Sequence, residues 1–410
     1  MSSRRIPPVW LMGLSDSTIG LTTGIVVFVV PQLLAARHVS EARIASITAL
    51  AYSANFWAVV FAPILDVRFS RRWYAAVFAA LTAVLVFISI ARLDHLVLLE
   101  FALVAATVTV ALSASALGGW LSAICPQRHK NTLSAWVNIA LICGMGITSI
   151  IGGELVRNLP LALAAALLGV IVSLPTVIFF FMPAPGPDRR LAGESFREFN
   201  RDVLALLRRR EVLIALLLFA SPCSSFALTY ILGGLGADFH ASPGMVSLAG
   251  GAGIFLPGLL GCLLFPVIAK GRPLRLLYLA NGIVGALFTL SLIVLPHTPW
   301  TFAIALLGEF LFQAGAYCLQ IGIVFETIGQ DNPLAATTFA FLTAATNIPV
   351  TYMMVADGRG YAAGGLAGSF ALDAGVSLAA CLLLGLVLHL LPGNSYGATP
   401  EVVAALPQQE

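Results

Sequence analysis

Charge is what this 410-residue chain has least of: Asp, Glu, Lys and Arg together make up 10% of it, against 59% hydrophobic residues. An ordinary soluble domain carries about 25% charged residues. So little polar surface cannot cover a globule in water, and lipid must cover much of the molecule. The net charge of +3 is too small for a nucleic-acid footprint, and the basic residues do not gather on one face. The six cysteines (Cys125, Cys143, Cys223, Cys262, Cys318 and Cys381) stand singly, with no CxxC pair and no His at ligand spacing. They read as small apolar residues of helices, which predicts neither disulfides nor a bound metal. Also missing are a glycine-rich nucleotide loop, a nucleophile motif, a His/Asp/Glu metal cluster and a soluble catalytic domain. Those absences argue against a primary pump and against a membrane-embedded enzyme or sensor, and predict a non-enzyme without cofactors.

In place of charge the chain has apolar length. A helix needs about 20 apolar residues to cross a bilayer core. Runs between polar breaks predict twelve spans, at 8–35, 42–65, 73–92, 96–123, 132–156, 161–183, 211–236, 243–269, 274–296, 299–325, 333–356 and 366–391. Arg4 and Arg5 precede the first run as in a signal peptide. The run continues past Pro31 without a small-residue cleavage site, so it reads as a span. Of the 22 Lys and Arg, only Arg37, Arg43, Arg92, Arg157 and Arg359 fall on one side of this topology. The other seventeen mark the cytoplasmic face, which puts both termini inside.

The longest inner loop separates two sets of six spans. The expected organisation is a first bundle at 1–183, a linker at 184–210, a second bundle at 211–392 and a cytoplasmic tail at 393–410. In the linker Phe196, Phe199, Val203, Leu204 and Leu207 recur at helical spacing opposite the charges, which predicts an amphipathic helix on the membrane surface. The halves also repeat. "FAPILDVRFSRRWY" (61–74) matches "LFPVIAKGRPLRLLY" (264–278), aligning Pro63 with Pro266, and "LLEFALVAAT" (98–107) matches "LLGEFLFQAG" (306–315), aligning Glu100 with Glu309. The predicted fold class is an all-α integral membrane protein of twelve helices in two pseudo-symmetric six-helix bundles.

The stretch 61–74 places Asp66, Arg68, Arg71 and Arg72 within seven positions. It resembles the loop signature that follows the second span in the major facilitator superfamily, where an Asp precedes a basic turn. The usual Gly is missing and the turn is one residue longer, so Arg71 and Arg72 stand at plus five and plus six from Asp66. The resemblance implies a gating latch. An Asp at a cytoplasmic helix end can pair with an Arg and with the N-terminal dipole of a helix in the other bundle. Such a latch favours the outward-facing state and must break for the inner gate to open. Positive-inside anchoring explains the arginines but not Asp66.

Three segments resemble a narrower branch, the AmpG-type muropeptide permeases and acetyl-CoA transporters, and are similar also to single-component siderophore importers. They are "NFWAVVFAPILDVRFSRRW" (55–73), "ALSASALGGWLSAICP" (111–126) and "PLAATTFAFLTAATNIP" (333–349). Acidic residues of that branch's fourth span are replaced by small or apolar ones around Ser113 to Gly118, so no coupling role carries over there.

An ionisable residue deep in a span costs at least about 2.5 kcal/mol and by default faces a cavity. Asp16, Glu309, Glu100 and Asp373 are therefore the proton-coupling candidates, each able in principle to take up a proton on one side and release it on the other. Each also has a bland reading as a carboxyl that joins two helices. Cavity candidates are Tyr52, Asn55, Trp57, Trp120, Trp136, Asn138, Gln313, Tyr317, Gln320, Asn347 and Tyr352, aromatics and amides that suit a glycopeptide or a catechol-like ligand, although for any single one ordinary helix packing is the favoured reading. All Lys and Arg fall in loops or at helix ends, which argues against a buried clamp for a strongly anionic solute. The expectation is a monomeric secondary transporter of the bacterial cytoplasmic membrane. It would take up a small-to-medium organic solute of muropeptide, siderophore or acyl-CoA type with protons. Drug efflux by antiport is the alternative.

Overall fold

A computed structural model describes residues 7–67, 69–184, 196–250, 255–329 and 332–390. Among these residues all regular structure is helical, and nine helical stretches are long and apolar enough to cross a membrane. The last of these, Ala335–Leu390, is 56 residues long and accounts for two of the expected spans. Expected spans seven and eight are made of shorter pieces. The chain divides into two compact units. One comprises Met1–Pro126, Trp136–Leu207 and Ile328–Ala344, the other Gln127–Ala135, Arg208–Thr327 and Ala345–Glu410. The short stretch 328–344 thus belongs with residues far earlier in sequence.

In the first unit, span one is interrupted twice. Helices Val9–Leu14 and Ser17–Gly24 meet at a turn holding Ser15 and Asp16, and a π-helical turn, Ile25–Val29, leads into Val30–Ala36. Pro31 cannot donate the next ladder bond, and the wider π turn absorbs that loss. Span two runs as Glu41–Trp57 and then tightens into a 3-10 segment, Ala58–Asp66, around Pro63. Helices Arg71–Ala91 and Leu96–Ile124 follow, and Leu21, Ile25, Val86, Ile90, Leu99, Leu103 and Leu168 bury together as the core. The glycines of span five allow span one to approach closely: a methyl built on Gly144 would stand 2.7 Å from the backbone N of Leu21.

In the second unit, span seven is not the continuous helix expected. Helix Arg210–Ala220 stops at Ser221 because Pro222 bars the residue before it from helical geometry. Ser224 (φ 54°) and Phe226 (φ 47°) are left-handed before 3-10 turns carry the chain through Ala227–Tyr230 and Leu232–Phe239. Helix Asn347–Leu390 bends at Gly364 and Gly365, where φ of 61° at Gly365 favours a glycine. The helix before that bend runs on past 356, the expected end of span eleven. Asp357 and Arg359 therefore lie in the helix and not in an outer loop, and Asp357 is 0% exposed.

The predicted linker contains a helix, Phe196–Leu207, on which Leu206 is buried and Leu204 exposed. The rest of the linker before it, 185–195, and the tail lie outside the described residues.

Gly144→Val should destabilise the protein by about 1–3 kcal/mol, because the Leu21 backbone cannot yield to the added carbons. Gly153→Ala, whose added methyl meets its nearest neighbour at 3.7 Å, should unfold with wild-type protein. Thermal unfolding in detergent compares the two.

Candidate functional site

The densest polar cluster forms around Asp66, whose carboxylate is buried at the end of span two. Arg71 Nε donates to Asp66 Oδ1 at 2.8 Å, and Arg71 Nη2 donates to the carbonyls of Asn332 (3.2 Å) and Pro333 (2.9 Å). Asp66 also accepts from the backbone N–H of Ala336 (3.3 Å), the N–H of Thr337 (2.8 Å) and the Thr337 hydroxyl (2.7 Å). Ala336 and Thr337 lie in the first turn of helix Ala335–Ala345, so the carboxylate caps that helix from 270 residues away. The first-turn N–H groups have no partner within their own helix and carry its positive dipole end.

The approach depends on "ALGGW". A methyl on Gly119 would come within 2.6 Å of the Ala336 backbone N. Three sequence segments singled out for their resemblance to one transporter branch thus meet in this cluster. Arg72 sits elsewhere, its guanidinium 6.0 Å from the Trp120 ring and 5.7 Å from the Phe180 ring. Arg68 lies outside the described residues.

A second polar feature of the first unit is a small cavity lined by Thr22, Thr23, Tyr52, Asn55 and Thr107, with Val26 and Val110 as its apolar wall. Tyr52 and Asn55 were cavity candidates, while the three threonines were not, since isolated hydroxyls in an apolar span look like any helix residue. Asp16 stands at the break in span one, buried, without a capping bond from its side chain. Glu100 is ion-paired to Arg43 at 2.8 Å. Trp120 is fully buried, donates to Pro183 O at 3.0 Å and packs edge-on to Phe179. Trp57 is 41% exposed, Trp136 lies against Gly13, and Asn138 is buried.

The second unit holds buried acids. Glu309 is 0% exposed near the middle of helix Pro299–Ile328; Thr289 donates to its Oε1 at 2.5 Å, and its Oε2 has no partner. Asp373 Oδ1 and both oxygens of Asp357 are likewise buried without a partner. These carboxyls lie within electrostatic reach of one another. Asp357 was missed because "DGRGYAAGG" reads as a polar, glycine-rich loop.

Gln313 and Gln320 lie along the same helix as Glu309. Gln313 donates to Thr229 (2.8 Å), and Gln320 reaches the Tyr278 hydroxyl (3.4 Å). Tyr317 and Tyr230 hydroxyls are 3.0 Å apart, Tyr352 donates to Ala220 O at 3.0 Å, and Asn347 is half-buried at a helix start. Among the described residues no three His, Cys, Asp or Glu side chains converge as a metal site would.

An all-helical chain with this many apolar spans, a capped helix junction and acids sunk in the apolar layer has the fold of a membrane transporter. The model of the Major Facilitator Superfamily matches residues 13–333, and the chain belongs to that family. It is a transporter and not an enzyme. No curated protein sequence matches it. Among solved structures it is similar to the fucose:proton symporter of E. coli, with a TM-score of 0.70 at 15% identity, covering 93% of this chain and 98% of that one. It is similar also to a proton:xylose symporter (0.64, 14%, 97% and 98%) and to a human organic anion transporter (0.66, 17%, 94% and 100%).

Removing the Asp66 carboxylate leaves the Arg71 charge and two helix N–H groups buried without it. Asp66→Ala should therefore cost about 3–5 kcal/mol, the usual cost of breaking a buried pair. Thr337→Val, which removes one hydroxyl bond, should cost about 1 kcal/mol. Equilibrium unfolding of the two variants reads out the order.

Proposed function

We propose that this chain is a proton-coupled importer of a small-to-medium organic solute, working in a bacterial cytoplasmic membrane with both termini inside. The observation that carries the reading is Glu309, a fully buried acid midway along a long span, held by one hydroxyl and facing no basic partner among the described residues. A carboxyl so situated is stable when it is neutral and costly when it is charged, which is what a carrier of single protons needs.

The solute, of muropeptide, siderophore or acyl-CoA type in its polar portion, would engage the hydroxyl- and amide-lined cavity of Thr22, Thr23, Tyr52 and Asn55. The similar symporters of fucose and xylose carry hydroxylated solutes with protons, which supports the same chemistry here. The two six-span halves, 1–183 and 211–392, would rock as bodies joined by the linker at 184–210. The Asp66 cap on helix Ala335–Ala345 would be the contact released when the inner gate opens. The protein would act as a monomer.

A thermal-shift screen against muropeptides, siderophores, acyl-CoA compounds and sugars identifies the solute, and proteoliposomes with an imposed proton gradient then test the coupling. Glu309→Gln should abolish gradient-driven uptake while leaving solute exchange without a gradient. Unchanged driven uptake in Glu309→Gln would overturn the assignment.

A further inference from the structure

The second unit contains a cavity that the solute reading does not use. It lies where span seven is broken, between that break, helix Leu274–Leu292 and the far part of helix Asn347–Leu390. It leaves about 10 Å³ open to the centre of a water-sized sphere, room for one small occupant. Its polar lining is Asp373, Ser224, Ser225, Thr289 and Ser377.

The direction of the hydrogen bonds matters here. Ser224 donates to Tyr278 O (2.8 Å), Thr289 to Glu309 (2.5 Å) and Ser377 to Pro222 O (3.2 Å). Each hydroxyl proton is committed to a neighbour, Thr289 having Gly285 O (3.1 Å) as a second acceptor, and Ser224 Oγ also accepts from Asn281 Nδ2 (3.5 Å), so each oxygen keeps at least one lone pair. Ser225 and Asp373 line the cavity too, more than nine-tenths buried, and Ser225 Oγ and Asp373 Oδ1 have no hydrogen-bond partner. Glycines 282 and 285 make the space: a methyl on the first would stand 3.0 Å from Ser224 N, and one on the second 2.5 Å from the Phe226 ring. Irregular backbone at membrane depth persists only where it is buried in protein or lines a cavity.

We infer that this cavity is a binding site for a small monovalent cation of sodium's kind, held by the Asp373 carboxylate and the oxygens of Ser225, Ser224 and Thr289. An anion would meet a ring of lone pairs and one carboxylate. A neutral solute of any size would not fit. A divalent ion would need further carboxylates at the same point, and no three acids converge there. One carboxylate balances one positive charge, and hard cations take oxygen ligands. A cation seated beside Asp373 would give Ser225 Oγ and Asp373 Oδ1 one shared partner. Glu309 and Asp357 lie within electrostatic reach of Asp373.

The test uses purified full-length protein, sodium chloride against N-methyl-D-glucamine chloride at equal ionic strength, and two readouts: the unfolding temperature and binding of radioactive sodium. Sodium should raise the unfolding temperature saturably and bind at one site per chain. Ser225→Ala and Asp373→Asn should each weaken that binding at least about tenfold, a loss of about 1.4 kcal/mol. Asp373→Asn should remain folded, and Ser225→Ala carries the test if it does not. Equal unfolding temperatures in the two salts with no bound sodium would overturn the site, as would wild-type affinity in both variants. Proton-driven solute uptake by wild-type protein that binds no radioactive sodium would overturn the site while leaving the proton-coupled importer standing.

Discussion

A carboxylate in a nearly dry protein interior needs either donors or a counter-charge, and the structure around Asp66 supplies both. One guanidinium, two backbone N–H groups and a threonine hydroxyl converge on its two oxygens. The geometry is that of a helix N-cap, except that the capping residue comes from a remote part of the chain. Much follows from it. The helix that begins at Ala335 has a fixed start, Gly118 and Gly119 must stay small to admit it, and the stretch 328–344 is drawn into the first unit. Arg71 serves both sides of the contact, since its other nitrogen satisfies the carbonyls of Asn332 and Pro333 just before the helix.

The acids of the second unit are treated in the opposite way. Asp357, Asp373 and Glu309 are as buried as Asp66, yet between them they leave four oxygens without a partner. The cost of leaving a buried polar group unpaired is about 1–3 kcal/mol, and more for a charged one. Such a cost is tolerated where something else supplies the missing partner during the working cycle. Under the proposed function Asp66 would belong to gating and Glu309 to proton traffic, and under the further inference Asp373 would hold a cation beside a broken helix.

That Asp66 would meet an Arg and a helix N-terminus was legible in the sequence because the parts are unusual. Four charges in seven positions stand out in a chain this apolar, and Asp66 has no anchoring role to explain it. The partnership with Arg71 rather than Arg72 was not legible, since it turns on which arginine the short loop points inward. Glu309 and Asp373 could be named from charge inside apolar runs alone. Asp357 could not, because the glycines after it imitate a loop, whereas the helix continues past it as far as the bend at Gly364. The break in span seven did have a signal, Pro222 in "ASPCSSF", but the run's apolar length outweighed it. Trp120 was open to either reading, and the structure packs it edge-on to Phe179 with its N–H on Pro183 O.

The account stands on the claim that the Asp66 carboxylate holds the first turn of helix Ala335–Ala345. Hydrogen exchange resolved to single amides measures that hold directly at Ala336 and Thr337. In wild-type protein these amides should exchange slowly, and in Asp66→Asn they should exchange much faster while amides deeper in the same helix keep their protection. Equal exchange at both positions in the two proteins would contradict the claim.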